Sequence, residues 1–384
     1  MTGQWTPAVC DVCGSRRREI LGGRDYRVSG RTRRFEMTFS DALCLDCGFV
    51  FAAMRPDHDF LMAYYRDAHI GHRGGELHFD ADARSAVVRR HVRQGGRVVE
   101  VGANDGAFTK ILKEQGFEAF GFDPVEADEA REVAKGFAGG GADAPQADAD
   151  AVVAYYVLEH VIDPRAWLAE LSSYLKPGGV LIVEVPSYAS HPEDSLNMEH
   201  LLHFTPDSLA RMLAVCGFEV VETPEATVAY GQAAVARKAA EVAVPAPASG
   251  ALDLARAAYE RAAQARQARR EAAARAAAAA QTASSGPDTP VFVWGANEYA
   301  ERAARLLSKA FNSVTVVDKS PSKVGESFEG LANPIIHPED TQACEGAIFL
   351  VCSPNWNTQI SAEIAERAHP AIAVIDAVTG DRLS

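Results

Sequence analysis

The chain reads as an α/β protein, with a parallel, doubly wound sheet at its centre and a smaller module on either side. Three observations predict this. The run Arg97-Val98-Val99-Glu100-Val101-Gly102-Ala103-Asn104-Asp105-Gly106 has the form of a buried strand, a tight glycine turn and the start of a helix. A second strand follows and ends on Gly121-Phe122-Asp123-Pro124, after which strand-like and helix-like segments alternate to about residue 240. A further strand and turn, Val291-Phe292-Val293-Trp294-Gly295-Ala296-Asn297, opens near residue 290, beyond a composition break.

The bulk properties set the limits. At 384 residues, 47% of them hydrophobic, the chain has room for two or three domains with real cores. A net charge of −14 argues against bulk affinity for nucleic acid or anionic membrane. No run approaches the ~20 apolar residues of a membrane span. Residues 1–7 lack the basic, apolar and small-residue pattern of a secretion signal, so a cytoplasmic protein is expected. Charge is uneven, however: residues 16–34 hold eight arginines against Glu19 and Asp25, and are read as a solvated face.

Residues 1–56 are expected to form a zinc-binding ribbon. Cys10-x-x-Cys13 and Cys44-x-x-Cys47 are two knuckles thirty residues apart, each continued by glycine, at Gly14 and Gly48. Glycine permits the tight turn that aims two thiolates at one ion, and four thiolates close a structural Zn2+ site. Cys216, Cys344 and Cys352 sit in apolar stretches and read as core. Residues 57–240 are expected to hold the central domain. A helix at 83–93 leads into strands at 98–101, 119–122, 151–155 and 180–185, with a terminal pair at 218–223 and 228–236. Helices are expected at 108–115, 164–175 and 206–215. Asp163 and Thr205 stand as N-caps before Pro164 and Pro206. Lys176-Pro177-Gly178-Gly179 reads as a turn. Residues 241–289 form an alanine- and arginine-rich helical linker; its helix, over 251–281, has few large apolar residues and reads as a spacer. Residues 290–384 read as a Rossmann-like domain, with Asp318 at a position suited to a ribose but without G-x-G-x-x-G.

The first turn also lacks G-x-G-x-x-G, so its backbone is not shaped to press against a pyrophosphate. Gly102 and Gly106 instead flank Asn104 and Asp105. That suits S-adenosylmethionine (SAM), which has no phosphate but offers an ammonium and ribose hydroxyls. Glu100 and Asp105 suit the amino-acid end. Asp123 suits the ribose, with Phe122 and Pro124 beside it. Asp143 is a candidate for the adenine, and Tyr155 and Tyr156 are candidates to flank the cofactor.

The order of parts resembles the sugar C-methyltransferase family, over nearly the whole chain. The matching residues are the two cysteine knuckles, Glu100 to Gly106, Leu158-Glu159-His160 and Glu184-Val185-Pro186. Further matches are Met198-Glu199-His200 with Phe204, the stretch Val317 to Gly325, and Pro354-Asn355-Trp356-Asn357. The family usually carries Tyr-His-Glu-His-x-x-Tyr-Phe where this chain has Asn197 to Phe204. Its last hairpin tends to read Gly-Gly-Ser where this chain has Tyr230-Gly231-Gln232.

The resemblance implies a class I SAM-dependent methyltransferase fold and a nucleotide-linked deoxysugar as the small-molecule partner. It also implies methylation of carbon beside a 4-keto group. His200 is then the expected base, Glu199 the group that orients the sugar or steadies a protonated histidine, and His203 the donor to the enolate oxygen. Tyr65 and Asn197 are expected to touch substrate, and His160 to line the pocket. Three other readings remain open: O-methylation of a sugar hydroxyl or another small metabolite, a zinc-ribbon protein that binds nucleic acid, and a dehydrogenase, against which the absence of G-x-G-x-x-G in both Rossmann-like parts weighs. Nothing in the sequence specifies an oligomeric state.

Overall fold

A computed structural model of the chain describes residues 4–29, 34–67, 79–124, 133–135, 148–196, 199–296, 298–320, 323–328, 331–341, 346–353, 357–366, 373–377 and 381. The chain divides into two compact units, Met1–Ala262 and Ala263–Ser384.

The first unit opens with five strands: β1 (Trp5–Pro7), β2 (Arg18–Ser29), β3 (Arg34–Cys44), β4 (Val50–Ala52) and β5 (Met54–Pro56). β2 and β3 form a long antiparallel hairpin, β4 adds to β3, and β1 pairs with β5. Helices α1 (His58–Asp67) and α2 (Ala81–His91) follow. α2 begins two residues before the expected start, because the Asp80 carboxylate caps it by accepting the Ala83 N–H at 2.9 Å.

The central sheet is built from β6 (Arg97–Val101), α3 (Ala107–Glu114), β7 (Glu118–Asp123), β8 (Val133–Lys135), β9 (Ala149–Tyr155), α4 (Pro164–Tyr174) and β10 (Leu175–Pro186). After it come β11 (Leu202–His203), α5 (Pro206–Val215), β12 (Phe218–Glu222) and β13 (Gly231–Lys238). The seven strands run in the order β12-β13-β10-β9-β6-β7-β8. β13 runs antiparallel to both β10 and β12, and the other pairs are parallel. The valines of β6 and β9 are sealed, as a sheet covered on both faces requires. Strand order reverses between β6 and β9, which opens a crevice at their carboxyl ends. The turn expected at 176–179 lies inside β10, where pairing with β9 skips from Leu175 to Val180. β8 carried no readable signal in the sequence.

Helix α6 (Ala251–Ala283) has 33 residues and is about 50 Å long. It is more than a spacer. Ala255 and Ala258 pack with Leu43, Val50 and Tyr188 of the first unit, and Ala276, Ala277 and Ala280 join the core of the second. Small side chains let a helix lie close to its neighbours, so burial here comes from alanine rather than from large residues.

The second unit continues with β14 (Val291–Trp294), α7 (Glu298–Leu307), β15 (Val314–Val317), β16 (Ile348–Val351), α8 (Asn357–Glu366) and β17 (Ala373–Asp376). Its four parallel strands are ordered β15-β14-β16-β17. Asp318 closes its own turn: it accepts the N–H groups of Ala296 at 2.6 Å and Ser320 at 2.8 Å, and Lys323 lies 3.3 Å away. These bonds explain the acid without a ribose. Cys352 is buried and Cys216 half-buried, while Cys344 lies outside the described residues. Among the described residues, no helix is long and apolar enough to cross a membrane.

Candidate functional site

The turn after β6 depends on three left-handed residues, Gly102 (φ 76°), Asn104 (φ 49°) and Gly106 (φ 76°). At Gly102 a Cβ would lie 2.4 Å from Cγ2 of Val157, so space as well as conformation demands glycine. The Gly102 and Ala103 N–H groups donate to the Phe122 carbonyl at 2.8 and 3.0 Å. Asn104 N–H donates to Oδ2 of Asp123 at 3.0 Å, which draws the turn against the end of β7. Oδ1 of Asp105 accepts the Ala107 N–H at the mouth of α3. Phe122 is buried, with Asp123 and Pro124 partly open beside it. Glu100 is buried and accepts the Thr109 hydroxyl. Burial pushes its pKa up to about 7; the Thr109 hydroxyl and Arg84 oppose the rise, and Asp105 adds to it.

Arg84 went unread in the sequence. It lies on α2, stacked 3.7 Å from the Phe79 ring centre and 4.0 Å from that of Tyr155, and its Nε donates to Oγ1 of Thr227 at 3.2 Å. Burial lowers its pKa, against the pull of Tyr155, Glu184 and Glu100. Glu184, on β10, accepts the Tyr156 hydroxyl at 2.8 Å, the Thr227 N–H at 2.8 Å and the Thr227 hydroxyl at 2.9 Å. A partly buried polar network thus runs from Arg84 through Thr227 and Glu184 to Tyr156. Tyr155 is a core ring beneath the arginine, and Tyr156 holds a left-handed backbone (φ 59°). One signal was available: Arg84, Val87 and Val88 share helical spacing, which places a cation on the buried face of α2.

A second cluster forms where Leu158–His160 meets Glu199 and His200. Oε1 of Glu199 accepts the Tyr64 hydroxyl at 2.8 Å, and its backbone carbonyl lies 3.1 Å from Nδ1 of His160. A carbonyl only accepts, so Nδ1 carries the proton and Nε2 of the neutral ring keeps its lone pair. That Nε2 lies 3.8 Å from the Glu159 carboxylate. The His160 and His200 rings meet edge-on with centres 4.6 Å apart, and the Tyr65 ring is 6.1 Å from His160. Burial raises the Tyr65 pKa well above its usual value, helped by the negative charges of Glu199, Glu159 and Asp123. The donor atoms of Glu159, His160 and His200 lie within 4.8 Å of one another, a spacing that also admits a metal ion.

Two expected contacts, Asp143 and Asn197, lie outside the described residues. His203 is corrected by the structure. It sits on β11, which pairs with β4, and its side chain is 0% exposed. Its ring packs against Tyr188, and its Nε2 is 3.5 Å from Asp41. No substrate reaches a ring sealed in this way, so the donor role expected for His203 is withdrawn.

The four knuckle thiols converge. Sγ of Cys10 is 3.5 Å from that of Cys47, and Sγ of Cys13 is 3.5 Å from that of Cys44, with all four within 4.8 Å. A disulfide would need about 2.05 Å. A tetrahedral ion with sulfur at about 2.3 Å spaces its ligands by about 3.8 Å. Gly14 and Gly48 share φ 74°, and each N–H bonds back to the first cysteine of its knuckle, at 2.8 and 2.9 Å. In the basic stretch, Arg17 pairs with Asp46, and Arg18 donates to the Ala8 and Ala53 carbonyls.

Comparison with known proteins now adds to this geometry. Residues 52–223 match a protein family described as "Methyltransferase domain". Those residues are a methyltransferase domain. A curated Mycolicibacterium smegmatis protein named "Probable S-adenosylmethionine-dependent methyltransferase" is 33% identical over 82 residues, 21% of this chain. The matched stretch spans 32% of the length of that relative. Among solved structures, the chain is similar to Burkholderia thailandensis 1,6-didemethyltoxoflavin-N1-methyltransferase, solved with S-adenosylhomocysteine. The identity is 21% and the TM-score 0.35, over 50% of this chain and 97% of that one. A SAM-dependent methyltransferase from Mesorhizobium loti is 17% identical with a TM-score of 0.35, over 41% of this chain and all of that one. The matched residues contain the seven-stranded sheet except β13, and the glycine turn after β6.

Proposed function

We propose that the chain is a SAM-dependent methyltransferase acting on a nucleotide-activated sugar, at carbon beside a 4-keto group, with a structural Zn2+ held by Cys10, Cys13, Cys44 and Cys47. The observation that carries this reading is the gathering of Tyr64, Glu199, His160 and His200, in which His160 belongs to the segment that follows the carboxyl end of β9.

The turn fits SAM on its own chemistry. Gly102 lets the turn close against Val157, Glu100 and Asp105 are acids for an ammonium, and Arg84 supplies a buried cation for a carboxylate. When bound, SAM supplies the methyl electrophile. The residues then align the acceptor and move its proton. His200 takes the proton from carbon. His160, its Nδ1–H held by the Glu199 carbonyl and its ring partly exposed, takes the place of His203 beside the developing enolate in its doubly protonated form, with Nε2–H as the donor. Glu159 steadies the positive charge that this histidine pair gathers.

O-methylation is the second reading, and the burial of His203 favours it to one degree. Transfer to a hydroxyl needs a base but no enolate donor.

The test is calorimetric titration with S-adenosylhomocysteine, followed by dTDP-, GDP- and CDP-sugars in its presence. Binding of the homocysteine product together with one nucleotide sugar supports the proposal. Product binding without any sugar removes the sugar assignment, and no product binding by the folded protein removes the enzyme reading. Solvent deuterium entering the sugar without SAM then assigns carbon as the acceptor, because only an acidic C–H exchanges.

A further inference from the structure

We infer that the cysteine ribbon positions the Glu199–His200 loop, through Arg55 as a positioning residue and the pairing of β11 with β4. This rests on the reading of Glu199 and His200 as the catalytic pair.

The loop is pinned on both sides at one residue, Leu201. The Leu201 N–H donates to the Glu159 carbonyl at 2.7 Å. The Leu201 carbonyl accepts the Ala52 N–H at 2.8 Å and the Arg55 guanidinium at 2.7 Å. The next two residues continue the ribbon's own sheet: Leu202 pairs with Phe51 and His203 with Val50, giving the order β11-β4-β3-β2. Val50 is three residues past Cys47, and β3 ends on Cys44, so the second knuckle is the turn between the two strands that carry this ladder.

Arg55 joins the first knuckle to the same carbonyl. Its side chain is 6% exposed, and its Nη2 donates to Oδ2 of Asp11, between Cys10 and Cys13, at 2.6 Å. Arg165 holds that knuckle from α4 by donating to the Asp11 and Val12 carbonyls. Both knuckles therefore end, within a few bonds, on Leu201, the residue after His200. A planar guanidinium can hold the carboxylate and the carbonyl at once, which a lysine ammonium does with less directional control.

The knuckles close when all four thiolates share an ion. With the ion removed, β4 and Asp11 lose their anchors and the loop loses the partner of its ladder. The hydrogen bonds described for the glycine turn run to the end of β7 and the start of α3, so cofactor binding should persist.

The experiment uses the full chain in three forms: metal-loaded, chelated, and loaded with Arg55→Met or Asp11→Asn. Each is measured for metal content, S-adenosylhomocysteine affinity, and amide exchange of the peptide covering 199–204. The expected result is product affinity within about twofold of the loaded protein in every form, with protection of 199–204 falling at least about tenfold on chelation and in both variants. Arg55→Lys should restore part of the protection. Unchanged protection in chelated protein overturns the inference. Loss of product binding in step with the loop also overturns it, since the ribbon would then support the whole domain. If protection behaves as expected but His200→Asn still transfers methyl at the full rate, the coupling stands and the catalytic reading of the loop falls.

Discussion

At the scale of single residues, the site works through groups whose surroundings shift their chemistry. Glu100 is the clearest. Its ordinary pKa of 4.5 is pushed up to about 7 by burial. Between those values the folded chain keeps a proton that the unfolded chain has lost, so stability falls as pH rises through the window, by up to roughly 3 kcal/mol. Denaturant unfolding of cofactor-free protein from pH 4.5 to 7.5 measures this, and Glu100→Gln should flatten the slope. A bound ammonium favours the carboxylate, so S-adenosylhomocysteine should bind with proton release below about pH 7. Calorimetry in buffers of different ionisation enthalpy reads that release directly. For the histidines, His200→Asn should lower kcat by about 10²–10⁴ and leave product affinity unchanged. An equal loss of product affinity would make the ring part of the cofactor pocket instead.

Secondary elements show how local chemistry fixes the ends that carry the site. α5 starts with a capping box: Oγ1 of Thr205 accepts the Ser208 N–H at 3.2 Å, and Oγ of Ser208 accepts the Thr205 N–H at 2.9 Å. The box lies directly after β11 and holds the chain as it leaves the loop. Thr205→Ala should cost about 1 kcal/mol in denaturant unfolding. A cost near zero would mean that the packing of Leu209, Met212 and Leu213 alone sets the helix start. α6 carries the opposite lesson. Propensity forms it, and a face of alanines buries it.

For the whole molecule, the two compact units differ in what they offer a ligand. The acids and cation suited to SAM all belong to Met1–Ala262, whereas Asp318 in the other unit is bonded into its own turn. A ligand that binds only the folded first unit should stabilise that unit by about 2.7 kcal/mol at a hundred times its Kd. In a thermal scan, S-adenosylhomocysteine should move the transition of the first unit and leave that of Ala263–Ser384 in place. A single transition moved as a whole would show that the two units unfold together.

The sequence by itself determined the elements whose signals are local. Gly102, Gly106 and Asp123 marked the turn and the strand end that receives it, and the paired knuckles marked four converging thiols. Asp163 and Thr205 marked their helix starts within a residue. These follow from backbone conformation, capping and spacing, which neighbouring residues decide. Only the tertiary structure decided the rest. It sealed His203 against Tyr188 and Asp41, because a short strand joined the ribbon's sheet, and no local pattern reports a pairing across 150 residues. It set His160 against His200 and Glu199 from segments about forty residues apart. It also placed Arg84 between Phe79 and Tyr155. A charge on the inner face of a helix is legible as a pattern, but its partners lie on other elements, and burial is a property of the whole fold.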